Sequence, residues 1–295
     1  MSAPLMYVDR ATGALHQEKI YGETELDFLY GTLPGKWLRA LGITHPWFSH
    51  INALPKKWGP QQAKISDFAQ RYDVNVAEAE YQPSQYNSLD EFFCRRLKPG
   101  ARQVDTSADA LTSPADGRLL AYPIHRGQLL HIKQQQVGIA DLLQDESAAQ
   151  ELDNGTALVV RLAPKDYHRF HFPASGWASP AREAGQRLES VHPIALHSGA
   201  SSFLNKRTIT RIDSDAFGRL YMVEVGALTV GTIVQCYQSG SVSKGDEKGY
   251  FRFGGSTVVL LWGEQGPVVD ADLRANSERG LETLVQYGSR IARML

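Results

Sequence analysis

A chain of 295 residues with 42% hydrophobic residues can bury a full core, which excludes a disordered tail and suits one large domain or two unequal parts. A formal net charge of -1 supplies no global field for nucleic acid or an acidic membrane, so no nucleic-acid partner is expected and any electrostatic recognition must be local. Two cysteines, Cys94 and Cys236, do not make a disulfide framework; they suit a reducing compartment and read as small buried hydrophobes.

From the start of the chain, MSAPLMYVDRATGALHQEK lacks a basic segment followed by an apolar core, so no cleaved secretory signal is expected. No later apolar run, Thr257 to Trp262 included, approaches the roughly 20 residues of a spanning helix. Residues 24–58 interleave Leu26, Phe28, Leu29, Leu33, Trp37, Leu38, Leu41, Trp47, Phe48 and Trp58 with Lys36, Arg39, Lys56 and Lys57. Such a mixture suits the headgroup boundary of a membrane, and equally a pair of amphipathic helices packed on a core.

Residues 61–80 place Ile65, Phe68, Ala69, Tyr72 and Val76 at helical spacing, closed by Pro83. A second short helix is expected over Ser88 to Arg96, with Ser88 as N-cap and Glu91 three residues later. Beyond about residue 110 the pattern turns to short strand-like runs between turn residues, at 118–124, 128–133, 156–162, 187–192, 207–213, 219–227, 229–236 and 256–262. Residues 137–143 and 278–293 read as helices, the last with Leu281, Leu284, Val285 and Ile291 on one stripe. The expected fold class is therefore α+β: a mainly β catalytic core with N-terminal amphipathic helices and a C-terminal helix.

Three motifs carry chemistry. Ser113-Pro114-Ala115-Asp116-Gly117-Arg118 leads into a strand, and its Asp-Gly alone is a turn signal. Leu162-Ala163-Pro164-Lys165-Asp166-Tyr167-His168-Arg169-Phe170-His171-Phe172-Pro173 follows another strand. Its two histidines share a face of a helical turn but diverge in an extended segment, and no third ligand of matching spacing points to a metal. In Phe253-Gly254-Gly255-Ser256-Thr257 a hydroxyl lies directly behind the least hindered carbonyl a chain can offer. Alone, that segment would read as a glycine turn or bulge feeding a buried strand.

In order and separation these motifs resemble the phosphatidylserine decarboxylase family. The resemblance extends through Asn87-Ser88-Leu89-Asp90-Glu91-Phe92-Phe93-Cys94-Arg95-Arg96-Leu97, Ser190-Val191-His192-Pro193-Ile194-Ala195-Leu196, Asn205-Lys206-Arg207 and Val223-Glu224-Val225-Gly226-Ala227 to Gly231, covering about residues 60–265. Many members read LGST at the cleavage site where this chain has Gly254-Gly255-Ser256. The scissile Gly-Ser pair is kept.

The resemblance implies self-cleavage at Gly255-Ser256 by a triad of Asp116, His171 and Ser256, leaving a covalent pyruvoyl group at residue 256 as cofactor. The products would be a β chain, 1–255, and an α chain, 256–295, with residues 1–100 a helical membrane-association region and 101–295 the catalytic domain. The mature enzyme would convert phosphatidylserine to phosphatidylethanolamine and CO2 through a Schiff base, with His168 positioning the carboxylate and protonating the product. Lys165, Arg169 and Arg207 are candidate anion binders or solvated charges. A homodimer and a peripheral place on the cytoplasmic side of the cell membrane are implied by the resemblance as well. Two alternatives stand beside it: a pyruvoyl-dependent decarboxylase of a soluble aromatic amino acid, and a Ser-His-Asp hydrolase, against which Ser256 opening a strand rather than a G-x-S-x-G elbow speaks.

Overall fold

A computed structural model of the chain describes residues 6–18, 61–125, 129–132, 135–185, 205–226, 232–252 and 256–295. It begins with a hairpin of β1 (Met6–Asp9) and β2 (Leu15–Gln17), turned at Gly13 with φ +71°. Helix α1 (Gln61–Tyr72) buries Ile65 and Phe68 against Phe92 and Phe93 of the short helix α2 (Leu89–Phe93), forming a satellite core with Tyr86 and Cys94. Ser88 caps α2, its hydroxyl accepting from the Glu91 N–H at 3.1 Å, while Glu91 reaches back one residue further than expected, to the N–H of Asn87 at 2.7 Å.

Strands β3 (Ala110–Thr112), β4 (Gly117–His125), β5 (Leu129–Ile132) and β6 (Gln135–Gly138) precede the short helices α3 (Ile139–Leu143) and α4 (Glu146–Glu151). Then come β7 (Thr156–Leu162), β8 (Arg169–His171), β9 (Gly176–Ala178), β10 (Arg182–Ala184), β11 (Arg207–Ser214), β12 (Gly218–Gly226), β13 (Ile233–Gln235), β14 (Gly240–Val242) and β15 (Glu247–Phe251). The chain closes with β16 (Ser256–Trp262), β17 (Val268–Val269), α5 (Ala271–Glu278), β18 (Glu282–Val285) and β19 (Arg290–Arg293).

The largest sheet runs β14-β9-β11-β12-β16-β7-β4-β18-β1-β2, so β16 lies in its middle, antiparallel to β12 and β7 along its whole length. Being covered on both faces, β16 reads as a continuous apolar run: Val258, Leu260 and Trp262 enter one core and Val259 and Leu261 the other. The first core also takes Phe170, Phe172 and Phe251 from in and around a three-stranded sheet, β13-β15-β8, which therefore packs on that face. A third sheet, β17-β19-β3, holds the C-terminus.

The mainly β core is as expected, and so are most of the described strand runs, but the run expected at 229–236 is a strand only over Ile233–Gln235 among the described residues. The helix expected over 61–80 ends at Tyr72, where Asp73 turns to φ +56°, and the helix expected over 278–293 is absent. The C-terminal helix, α5, ends at Glu278, and the chain continues as β18, a turn and β19. Glycine stops the helix twice: Gly280 (φ +71°) and Gly288 (φ +82°) adopt left-handed backbone. The buried residues are Glu282, Thr283, Val285, Ile291 and Ala292, so the helical stripe through Leu281 and Leu284 is not the face that packs. Cys236 is exposed, not buried; Cys94 is buried, and burial pushes its thiol up to about 12. Residues 24–58 and the strand expected at 187–192 lie outside the described residues, and no described helix is long and apolar enough to cross a membrane.

Candidate active site

Asp116 sits immediately before β4, where Gly117 passes so close to β7 that a Cβ would meet the Arg161 carbonyl oxygen at 2.7 Å. Its buried carboxylate accepts from Arg102 Nη2 at 2.6 Å and from the backbone N–H of Tyr287 at 2.8 Å; Arg102 also holds Glu78 at 3.0 Å. Burial pushes the Asp116 carboxyl up, and the Arg102 guanidinium and the Tyr287 N–H pull against it. Tyr287 arrives there because its turn is tied to the same motif: Gly288 N–H donates to Ser113 O at 2.9 Å and Ser113 N–H to Ser289 O at 2.8 Å.

The Asp166 segment leaves β7 and folds back on itself, the Asp166 carboxylate accepting from the Ala163 N–H at 2.6 Å and pairing with the fully buried Arg118. Burial alone would raise the Asp166 carboxyl, but Arg118 and the Ala163 N–H outweigh it, and the net direction is downward. His168 is completely buried, its Nδ1 2.9 Å from Asp166 O and its ring 3.9 Å from that of Phe93. Since a carbonyl oxygen only accepts, Nδ1 carries the proton.

His171 belongs to extended backbone, so the two imidazoles diverge. Its N–H donates to Pro114 O at 2.8 Å, Nδ1 donates to Gly245 O at 2.9 Å, and Nε2 accepts from the Tyr167 hydroxyl at 3.2 Å. Tyr287 stacks on the imidazole, centroids 3.8 Å apart and planes 11° apart. Burial lowers the His171 pKa to about 4, against the opposing Gly245 contact, so the ring is neutral at physiological pH.

Ser256 opens β16 opposite Leu162 of β7 and Gly226 of β12. It is fully buried, and its hydroxyl has no hydrogen-bond partner among the described residues. Gly226 is itself fixed by Asn205, whose Nδ2 donates to Gly226 O at 2.8 Å. One pleat along the same face, Glu224 and Lys248 form a completely buried ion pair at 2.9 Å, with Gln235 Oε1 accepting from Lys248 at 2.8 Å. Burial lowers the Lys248 pKa, partly offset by Glu224. Gly255 lies outside the described residues.

The structure thus groups the expected residues in two sets. Asp116 and His171 share Tyr287, but no carboxylate–imidazole hydrogen bond joins them among the described contacts: Arg102 holds the first and Gly245 O the second. His168 lies with Phe93 and Asp166, and its carbonyl accepts from the Phe251 N–H at 2.9 Å, on the chain leading to Ser256. No described hydrogen bond links Ser256 to either imidazole. Of the candidate anion binders, Arg207 is buried and donates to Leu142 O and Asp141 O, and Arg169 pairs with Glu247 at 2.5 Å, which leaves Lys165. Arg102, Tyr167, Gly245 and Tyr287 have no role in the sequence-based site; only Tyr167 lay inside one of its motifs.

Buried ionisable and hydroxyl side chains at or beside the ends of strands β4, β8 and β16 are equipment that suits an α+β enzyme. The family model described as phosphatidylserine decarboxylase matches residues 89–293. The chain is 39% identical over 295 residues to a phosphatidylserine decarboxylase proenzyme of Chlamydia felis (strain Fe/C-56), covering 99% of this chain and 98% of that protein. A protein of the same description from Ruminiclostridium cellulolyticum (strain ATCC 35319 / DSM 5812 / JCM 6584 / H10) is 38% identical over 286 residues, covering 96% and 95%. One from Desulfitobacterium hafniense (strain DSM 10664 / DCB-2) is 36% identical over 290 residues, covering 97% of each. The chain belongs to the phosphatidylserine decarboxylase family and is a decarboxylase, a carboxy-lyase.

Proposed function

We propose that the chain cuts itself between Gly255 and Ser256 and that the mature enzyme converts phosphatidylserine to phosphatidylethanolamine and CO2 at a membrane surface. The observation that carries this is Ser256 itself: a hydroxyl without a described partner, fully buried at the first position of a central strand, is costly unless it has a chemical use.

In self-cleavage, Ser256 Oγ attacks the Gly255 carbonyl carbon and its proton passes to a base. His171 suits that role, because Nδ1 is committed to Gly245 O and burial keeps the ring neutral, so the basic atom is Nε2, which must exchange the Tyr167 hydroxyl for the serine proton. Asp116 acts on the same group through Tyr287, whose N–H it holds and whose ring lies on the imidazole. The peptide nitrogen leaves as the Gly255–Ser256 amide becomes an ester; β-elimination then frees the Gly255 carboxylate, and hydrolysis consumes one water and releases ammonia. Residue 256 is left as a pyruvoyl group.

That group supplies an electron sink for the pair left behind when CO2 departs. His168 has the matching equipment: Nδ1 is fixed on Asp166 O, so Nε2 is the atom that takes a proton from the substrate ammonium and returns one to the α-carbon. Residues 24–58, with Trp37, Trp47 and Phe48 among basic residues, suit contact with the cytoplasmic face of a membrane, and a homodimer belongs to the same reading. Purified protein mixed with phosphatidylserine vesicles should sediment with them and yield phosphatidylethanolamine and CO2 in equal amounts. Matured protein that left the lipid unchanged would refute this function.

A further inference from the structure

We propose that Arg95 forms an oxyanion subsite for the phosphodiester of the lipid headgroup; this rests on the decarboxylase reading above and assigns the part of the substrate that does not react. Arg95 follows α2 and is only 4% exposed. One terminal nitrogen, Nη2, donates to Lys165 O at 2.8 Å and to Asp166 O at 3.1 Å. Nε and Nη1 are buried and have no acceptor among the described residues. The ring of Phe92, 5.4 Å from Cζ, gives the cation only partial compensation.

Three of the four carboxylates that line the cavity beside Arg95 are engaged elsewhere; the fourth, Asp73, lies outside ion-pair distance of Arg95 and Lys165. Asp116 and Glu78 are held by Arg102, and Asp166 by Arg118. Arg95 and Lys165 have no carboxylate within ion-pair distance among the described residues, and both line a cavity of about 190 Å³ together with Tyr167, Asp116 and Gln286. A buried guanidinium with idle donors beside a second cation is costly without an anion and a strong site with one.

Substrate chemistry selects the anion. The serine carboxylate must lose its charge as CO2 departs, so a guanidinium on it would stabilise the ground state more than the transition state and slow the reaction. The phosphodiester keeps its charge throughout, and a cation on it serves binding alone. The placement agrees: Asp166 O accepts from both Arg95 Nη2 and His168 Nδ1, so the oxyanion donor and the candidate proton donor hang from one carbonyl oxygen. In phosphatidylserine, phosphorus is three bonds from the α-carbon.

Wild type, Arg95→Gln, Arg95→Lys and Lys165→Met are matured, checked for two chains, and assayed on phosphatidylserine in mixed micelles. Glycerophosphoethanolamine, ethanolamine and inorganic phosphate serve as inhibitors. Losing a charged hydrogen-bond donor should raise KM about 10-fold or more in Arg95→Gln, with kcat changed much less and partial recovery in Arg95→Lys. Lys165→Met, which leaves the Arg95 contacts intact, should raise KM by about 3-fold. Inhibition by glycerophosphoethanolamine should weaken in step with KM, while ethanolamine, lacking phosphorus, should inhibit all forms alike. Unchanged KM and unchanged inhibition in both Arg95→Gln and Lys165→Met would overturn the assignment, as would inorganic phosphate that binds at Arg95 without competing with the lipid. If Arg95→Gln does not mature, Lys165→Met and competition on the wild type decide the matter. Should wild type prove inactive on the lipid, the function falls separately; calorimetric binding of glycerophosphoethanolamine, abolished in Arg95→Gln, would still establish the subsite.

Discussion

His168 and His171 stand three positions apart, and the proposal gives them different work because each ring is tied to different partners. His171 is packed between Tyr167 and Tyr287 next to the Asp116 motif, whereas His168 is fixed on Asp166 O against Phe93. His171→Ala should stall as the uncut chain. His168→Ala should cut itself at least in part and then lose decarboxylation by about 10²-fold or more, the usual worth of a general acid. Gel analysis and CO2 release check both, and the reverse pattern would exchange the two roles. The His171 pKa carries a pH consequence with a definite sign. Its folded value, about 4, is below the ordinary 6.5, so as pH falls the unfolded chain takes the proton first. The stability this contributes is complete above about pH 6.5, declines between there and about 4, and amounts to ~3 kcal/mol at full size. Urea midpoints of the uncut Ser256→Ala protein at pH 7 and 4.5 should therefore differ more than those of Ser256→Ala with His171→Gln added. Equal differences would contradict the lowered pKa.

At the scale of elements, β16 connects chemistry to stability: it presents Ser256 at its first position and buries every residue through Trp262. Leu260→Ala in the uncut Ser256→Ala background should cost about 2–5 kcal/mol, read from denaturant unfolding, because Leu260 is almost fully enclosed. A loss below about 1 kcal/mol would mean that the strand is not a core strand. This element was legible in the sequence because continuous burial leaves a continuous apolar run from Val258 to Trp262; Thr156–Leu162 and Gly218–Gly226 were legible too, although the buried Arg161 and Glu224 interrupt their apolar runs. The close of the chain was not: Leu281, Leu284 and Val285 imitate a helical stripe, while the pairing that makes β18 a strand comes from β4 and β1, far away in sequence. The same limit applied at the site. Asp116 and the histidines lie in recognisable motifs, but Tyr287 reaches Asp116 across 171 positions through a turn that has no motif of its own.

For the whole molecule, residues 256–295 are woven into the fold rather than appended to it. β16 lies between β12 and β7, β18 between β4 and β1, and β19 beside β3. A cut before Ser256 would remove one covalent bond and leave these ladders and both cores in place, so the two chains should travel as one particle under native conditions. The measurement that bears most directly on the account is the intact mass of the purified protein under denaturing conditions, with and without a carbonyl-trapping reagent. The predicted result is two species, residues 1–255 and residues 256–295, with only the smaller one gaining the reagent's mass. A fully active enzyme recovered as a single chain of 295 residues that takes up no reagent would contradict it.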